Sequence, residues 1–464
     1  MFDKEIYIQR REVLKQKVGS GLILLLGNEE SSMNYKDNCY SFRQDSSFLY
    51  YFGLDKPGFV GIIDVDKNEE VIFGNDLTID DIVWTGPLPT MAELVASVGV
   101  KSTFPYAKIA ETLQKALAAK QVIHILPPYR PENTIKLSQW LGCGLEEVAS
   151  KVSTTLIKAV VAQRSIKSSE EVDEIEKAVE VSNQMHLELM KQTKIGQKEV
   201  ELVGKLRGVA ISAGGDVGYP IILTKNGQTL HNHFHDNIIK ENDMVLCDAG
   251  AATGMHYTGD LTRTVPAGKK FTPRQKELYN IVLNSFKAAV AALKPGVLFK
   301  DVHLLACETL ADGLKEVGLM KGDTKEAVAA GAHAMFFQCG LGHMMGLDVH
   351  DMEDLGEQYV GYTEELKKST QFGLKSLRLG KALEEGFVIT VEPGIYIIPE
   401  LIDLWKSENK FTEYLNYEKL EEYRDFGGIR VEDDFLITES GYRKLGGHLP
   451  LEVEEIEAIR AGSF

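Results

Sequence analysis

Four carboxylates in this sequence stand where carboxylates are costly. Asp248 ends the apolar run Met244-Val245-Leu246-Cys247. Asp260 follows Thr258-Gly259 in the next strand-like run. Glu392 ends Phe387-Val388-Ile389-Thr390-Val391, before Pro393-Gly394, and Glu432 follows Gly428-Ile429-Arg430-Val431. An ionised carboxylate in a buried strand is expensive unless it is paired or bound to a cation. Any one of them alone reads as a strand-end acid; four in one half of the chain call for a shared cause. His343, in Gly340-Leu341-Gly342-His343-Met344-Met345-Gly346, adds a nitrogen donor. Two divalent ions would balance four carboxylates with the imidazole neutral. Oxygen donors without a thiolate favour Mn²⁺, with Co²⁺ or Zn²⁺ as alternatives. Two such ions can share a water, lower its pKa toward about 7 and act as Lewis acids, which is hydrolytic chemistry.

Other motifs carry less. His231-Asn232-His233-Phe234-His235 places three imidazoles on one face of an extended segment. Gly340-x-Gly342 with Gly346 has neither the spacing nor the lysine of a phosphate loop. The five cysteines, Cys39, Cys143, Cys247, Cys307 and Cys339, form no C-x-x-C pair. That argues against a disulfide framework and against a thiolate zinc site, and for a reducing cytoplasm.

The elements that must position these residues fall into two groups. A chain of 464 residues suggests two domains. Leu22 to Leu26, Phe59 to Val65, Val71 to Phe73 and Val122 to Leu126 read as strands, with helical segments near 105–120 and 132–148. This is an α/β domain over 1–160. A boundary is expected near 155–168, and the rest, 161–464, forms a second domain. There Ser168 with Glu171 predicts a capped helix, and another carries Leu202, Leu206 and Val209. Strand-like runs follow at 219–224, 243–249 and 255–265. Helices then recur after Thr272-Pro273 and around Ala306 to Val317, and strands at 386–398 and 428–438, with a polar insertion at 399–425. The helix-helix-strand order therefore occurs twice.

Asp248-Ala249-Gly250, Thr258-Gly259-Asp260-Leu261-Thr262-Arg263-Thr264, Gly342-His343 through Val349-His350-Asp351, Glu392-Pro393-Gly394-Ile395-Tyr396 and Arg430-Val431-Glu432-Asp433-Asp434 together resemble the aminopeptidase P/prolidase family. Phe42-Arg43-Gln44-Asp45-Ser46-Ser47, Tyr51-Phe52-Gly53 and Pro57-Gly58 resemble that family's N-terminal domain, so the likeness spans nearly the whole chain. The resemblance implies an α+β pita-bread catalytic domain with two pseudo-symmetric halves. It implies that Asp248 binds one metal ion, that Asp260 and Glu432 bridge two, and that His343 and Glu392 hold the other, with Glu392 also moving protons. It implies substrate contacts from His231 and His350, and supporting positions for Tyr396 and Arg430, the latter orienting Asp248. Trp84, before Gly86-Pro87, resembles a first-domain tryptophan that reaches a neighbouring subunit. One departure stands out: Cys339 occupies a position where many relatives carry a histidine.

The implied activity is hydrolysis of an N-terminal Xaa-Pro bond. The leading expectation is an Xaa-Pro aminopeptidase and the alternative an Xaa-Pro dipeptidase (prolidase), in which Arg378 would grip the dipeptide carboxylate. A peptidase-like binding module with dead chemistry is the remote alternative, and loss of a ligand would mark it; none is lost. The substrate is thus a proline-containing peptide or dipeptide, and the family implies a homodimer or larger. The formal charge of −17 argues against a phosphate backbone as partner, and no apolar run approaches the roughly 18 residues of a membrane span.

Overall fold

The computed structural model describes residues 1–462. The chain divides into two compact units between Arg164 and Ser165.

The first unit is built on a five-stranded mixed sheet in the order Ser102–Phe104, Glu69–Phe73, Val60–Asp64, Leu22–Leu26, Ile123–Ile125. Leu22–Leu26 is short, apolar and nearly fully buried, which suits a central strand. It pairs antiparallel with Val60–Asp64 and parallel with Ile123–Ile125. The edge strand Ser102–Phe104 escapes the sequence reading because it is three residues long and only partly buried. Leu24, Ile62 and Phe73 from the sheet pack with Ile109 and Leu113 from helix Ile109–Ala118 and with Leu137 and Trp140 from helix Pro131–Leu141. Helix Thr154–Arg164 occupies most of the 155–168 stretch and belongs to this unit. Trp84 is 88% exposed on helix Ile79–Thr85.

The second unit repeats one order of elements. Helices Ser169–Gln192 and Glu199–Ser212 precede strands Ile222–Thr224, Met244–Asp248 and Thr262–Pro266. Helices Pro273–Ala291 and Phe299–Glu316 precede Val388–Val391, Gly394–Tyr396, Gly428–Arg430 and Asp433–Thr438. The Ser168–Glu171 and Thr272–Gln275 capping boxes open the first helix of each pair. In the first half Met244–Asp248 lies between its two antiparallel neighbours, with Thr262 opposite Asp248. In the second, Val388–Val391 pairs with Asp433–Thr438, and Gly394–Tyr396 with Gly428–Arg430. A bridge between Thr262 and Glu432 joins the halves. This is the α+β pita-bread arrangement.

Three expected segments differ. The 255–265 run is a strand only from Thr262, because His256 adopts a left-handed φ of 68° and closes a turn on Thr253. The 219–224 run shortens to Ile222–Thr224, after Pro220, which has no N–H for a ladder. The 399–425 insertion holds helices Pro399–Ser407 and Tyr417–Glu421, which bury Ile402, Trp405 and Leu420. No helix among the described residues is long and apolar enough to cross a membrane.

Candidate metal centre

The strand ends of the two halves bring the five expected ligands together. Asp248 is the last residue of its strand, and Thr262 faces it across the ladder. Gly250 and Gly259 let the two site segments touch: a Cβ on Gly250 would lie 1.8 Å from the Gly259 carbonyl oxygen. Thr262 exchanges backbone hydrogen bonds with Glu432, and its Oγ1 donates to Glu432 Oε2 at 2.6 Å. Glu432 is therefore fixed to the strand that follows Asp260. On the other side, Glu392 N–H donates to Leu341 O at 2.7 Å and Thr390 N–H to His343 O at 3.1 Å. Gly342 makes this contact feasible, since a Cβ there would meet Thr390 O at 2.1 Å.

Donor atoms of Asp260, His343 and Glu432, all buried, lie within 4.8 Å of one another. His343 Nε2 is 3.3 Å from Asp260 Oδ2 and 3.8 Å from Glu392 Oε1. Its Nδ1 donates to the Met344 carbonyl at 3.0 Å, which leaves Nε2 to face the carboxylates. Burial disfavours its charged form, but the hydrogen bond to Asp260 and the charges of Asp260 and Glu392 outweigh that and raise its pKa, so without cations Nε2 carries a proton toward Asp260. Asp248 receives Arg430 Nη2 on Oδ2 and the Tyr219 hydroxyl on Oδ1, each at 2.6 Å. The same hydroxyl reaches Asp260 Oδ1.

Electrostatics test whether this set suits cations. Burial, followed by the charges of Asp260, Glu392 and Asp248, drives the Glu432 pKa well above the carboxylate range. Burial lifts Glu392 to about 7 and raises Asp260. Asp434, which accepts the Asp260 N–H at 3.0 Å, is raised by burial and then by Asp260. A cluster of mutually repelling buried carboxylates, with one imidazole whose Nε2 proton a cation would displace, is the electrostatic complement of divalent cations. The donor set fits them.

The other expected residues converge on the same side. His350 packs edge-on to His343, with ring centroids 4.4 Å apart, and its Nδ1 is 2.6 Å from Glu353 Oε2. Burial, then the His343 charge, lowers its pKa to about 2, so the ring is neutral. His350 and Arg378 line one cleft with His343, Met344, Asp351, Glu353, Glu357 and Val360. Arg378 Nε is 3.5 Å from Glu353 and 3.9 Å from Glu357, and it makes no hydrogen bond. His231 sits on an exposed loop; partial loss of solvation and then the Arg430 charge lower its pKa. Its charge also bears on His350. His235 bonds the Leu223 carbonyl at 3.1 Å, and His233 is exposed, so the three imidazoles do not form one cluster. Tyr396 is fully buried and accepts Arg430 Nη1 at 2.9 Å. Cys339 lies beside it, Sγ to Oη 3.9 Å; burial, then Glu392, raises the thiol pKa to about 12, so it stays protonated.

Sequence reasoning missed Tyr219. Burial, then the charges of Asp248 and Asp260, holds its hydroxyl protonated, which makes it an obligatory donor between two carboxylates. No periodicity or motif marks Gly218-Tyr219-Pro220. Thr262 and Asp434 lay inside quoted motifs, but their tethering of Glu432 and Asp260 emerges only from the bridge between the two halves.

Comparison with known proteins places the chain in a family. Residues 173–439 match the profile of metallopeptidase family M24, and residues 7–125 that of the aminopeptidase P N-terminal domain. Human Xaa-Pro dipeptidase is 33% identical over 453 residues, covering 95% of this chain and 89% of that protein. A probable Xaa-Pro aminopeptidase from Uncinocarpus reesii is 30% identical over 458 residues, covering 95% and 90%. Among solved structures, Escherichia coli aminopeptidase P in zinc-substituted form with product superposes with a TM-score of 0.81 at 26% identity, covering 100% of this chain and 99% of that one. Fold and site define a metal-dependent peptidase of two domains. The chain belongs to metallopeptidase family M24.

Proposed function

We propose that this protein is a dinuclear metallo-exopeptidase that cleaves the Xaa-Pro bond, with dipeptides as preferred substrates. The observation that carries the dipeptide preference is Arg378, which lines the cleft of His343 and His350 and makes no hydrogen bond through Nε. A guanidinium presents a planar fork to a carboxylate. An Xaa-Pro dipeptide carries its carboxylate directly after proline, whereas a longer peptide carries a neutral amide there. Glu353 and Glu357 lie at ion-pair distance from its buried Nε, so a substrate carboxylate would be met by the Nη edge of the guanidinium. Both activities appear among the relatives, as dipeptidases and aminopeptidases. The aminopeptidase reading, first by sequence, becomes the second reading here.

Asp248, Asp260, His343, Glu392 and Glu432 would hold two divalent ions, Mn²⁺ first among them because four of the five donors are carboxylates. When bound, the ions supply Lewis acidity and an activated water. Glu392 takes the proton from the attacking water on its carboxylate and passes it to the leaving proline nitrogen. His231 and His350 contact the substrate near the scissile carbonyl, and His350 does so as a neutral ring oriented by Glu353. Arg430 and Tyr219 hold Asp248 in position. The proposal includes a cytoplasmic location and a homodimer or larger assembly, which light scattering of the purified protein tests.

The deciding assay compares an Xaa-Pro dipeptide with an Xaa-Pro-Xaa tripeptide under Mn²⁺. The dipeptide should be the better substrate. Arg378→Ala should lose roughly tenfold to a hundredfold in kcat/KM on the dipeptide alone, the effect of leaving a carboxylate unpaired. Equal rates on both substrates in the parent, or equal losses in the variant, would return the assignment to the aminopeptidase.

A further inference from the structure

A second cluster of donor atoms lies outside the carboxylate site. His303 and Cys307 are four residues apart on helix Phe299–Glu316 and so share a face. His333 comes from the 3₁₀ turn Ala332–Met335. Donor atoms of the three residues lie within 4.8 Å of one another. The residues are 0%, 0% and 2% exposed. Nδ1 of His303 and both ring nitrogens of His333 lack a hydrogen-bond partner. The Val328 carbonyl approaches His333 without hydrogen-bond geometry. Buried ring nitrogens ordinarily find partners. Each neutral imidazole has one lone pair to give; His303 turns Nε2 to the Cys307 thiol and His333 has no partner at either ring nitrogen, which points to something that accepts lone pairs.

We propose that His303, Cys307 and His333 form a second metal site, separate from the carboxylate centre, for a thiophilic d¹⁰ cation, Zn²⁺ or Cu⁺. In tetrahedral coordination, bonds of about 2.05 Å to nitrogen and about 2.3 Å to sulfur place those two atoms about 3.5 Å apart. His303 Nε2 and Cys307 Sγ are 3.5 Å apart. Burial lowers the imidazole pKa values to about 3 and about 4, so both rings are neutral, the form that ligates. Burial also keeps the Cys307 thiol protonated until a cation displaces its proton. One thiolate neutralises Cu⁺. Zn²⁺ would leave one positive charge, with Glu308 and Cys339 the further groups whose charges bear on Cys307. The absence of a C-x-x-C pair, taken in the sequence as evidence against a thiolate site, does not apply to a His-x₃-Cys pair completed by a distant histidine. The ion would tie helix Phe299–Glu316 to the segment that runs from Ala332 through Cys339 to His343. Its role is structural.

The test uses the full chain expressed in cobalt-supplemented medium, so that the ion enters during folding. The carboxylate centre contains no sulfur, so thiolate-to-Co²⁺ charge-transfer absorption in the near ultraviolet reports this site alone. The expected result is such a band in the parent, kept in Asp260→Asn and lost in Cys307→Ser and in His333→Gln. Displacement by Zn²⁺, or by Cu⁺ under anaerobic conditions against a chromogenic chelator, identifies the preferred ion. A parent protein with cobalt in its carboxylate centre but no thiolate band overturns the proposal, whether or not the variants fold. A band that survives Cys307→Ser does the same.

Discussion

Arg430 Nη2 donates to Asp248 Oδ2 at 2.6 Å, and both residues are buried. The other guanidinium donors are also committed, Nη1 to the Tyr396 hydroxyl and Nε to Thr262 Oγ1. Thr262 in turn holds Glu432. One arginine thus orients two candidate ligands from opposite halves of the unit. Arg430→Gln keeps a donor but loses the charge and the fork. Partners behind a ligand typically account for tenfold to a hundredfold in metal affinity. Mn²⁺ titration calorimetry should show a loss of about that size in the variant. Unchanged affinity would mean that Asp248 is positioned by its strand alone.

Tyr219→Phe removes the single hydroxyl that Asp248 and Asp260 share. The ring volume is kept, so the fold should hold. The carboxylates lose a common donor and become free to rotate. Metal affinity should fall by roughly tenfold, at the lower end for such a partner. Calorimetry beside a thermal melt separates this from simple destabilisation: a lower Tm with intact affinity would make the tyrosine a packing residue.

Asp260→Asn bears on the ion count. Asp260 lies against His343 and Tyr219 and is among the donors closest to Glu432. Replacing it removes a charge that the proposal assigns to both ions. Metal analysis of the dialysed variant should give clearly fewer than two ions per chain. Two ions together with normal turnover would remove Asp260 from the bridging role.

Much of this site was legible because its ligands break a pattern. Asp248, Glu392 and Glu432 interrupt or end apolar strand runs, and burial of a charge needs an explanation wherever it occurs. The structure puts those run ends side by side through the Thr262–Glu432 bridge and the contact of Leu341–His343 with Thr390–Glu392. Tyr219 was not legible, because a lone aromatic after a glycine carries no spacing signal. Nor was the meeting of His303 and Cys307 with His333, which depends on how a 3₁₀ turn packs against a helix face. Strand Ser102–Phe104 was lost to its brevity, and the start of Thr262–Pro266 to a left-handed His256 that composition does not announce.

Arg263→Met bears on stability. This side chain is fully buried, donating to the carbonyls of Thr262, Glu432, Leu449 and Pro450 and to Asp433 Oδ1 at 2.9 Å. Removing it leaves a buried Asp433 with Lys444, at 3.0 Å, as its remaining ion-pair partner. Breaking a buried pair from one side costs about 3 kcal/mol or more. Urea unfolding of the metal-free protein should show a loss of that order. A change under about 1 kcal/mol would mean that the Lys444 contact and water suffice.

Glu392→Gln separates binding from chemistry. The carboxylate follows strand Val388–Val391, its N–H is fixed on Leu341, and its side chain is the more exposed of the pair it forms with His343, at 19% against 5%. Of the five candidate ligands it therefore has a face toward solvent from which a substrate could be reached. Without cations, burial, opposed by His343 and Arg430, lifts its pKa to about 7; a bound cation would bring it down again, favouring the carboxylate that accepts the proton. A group that takes a proton early and returns it late must be a base in the loaded site and an acid after attack. Glutamine keeps the shape and one possible oxygen ligand but cannot carry the proton. The expected result is a fall in kcat of about 10²- to 10⁴-fold, with KM changed far less and metal content largely kept. Loss of both ions in the variant would assign Glu392 to metal binding alone. A kcat within a few-fold of the parent would give the proton transfer to another group, for which His350, neutral and 4.4 Å from His343, is the nearest candidate.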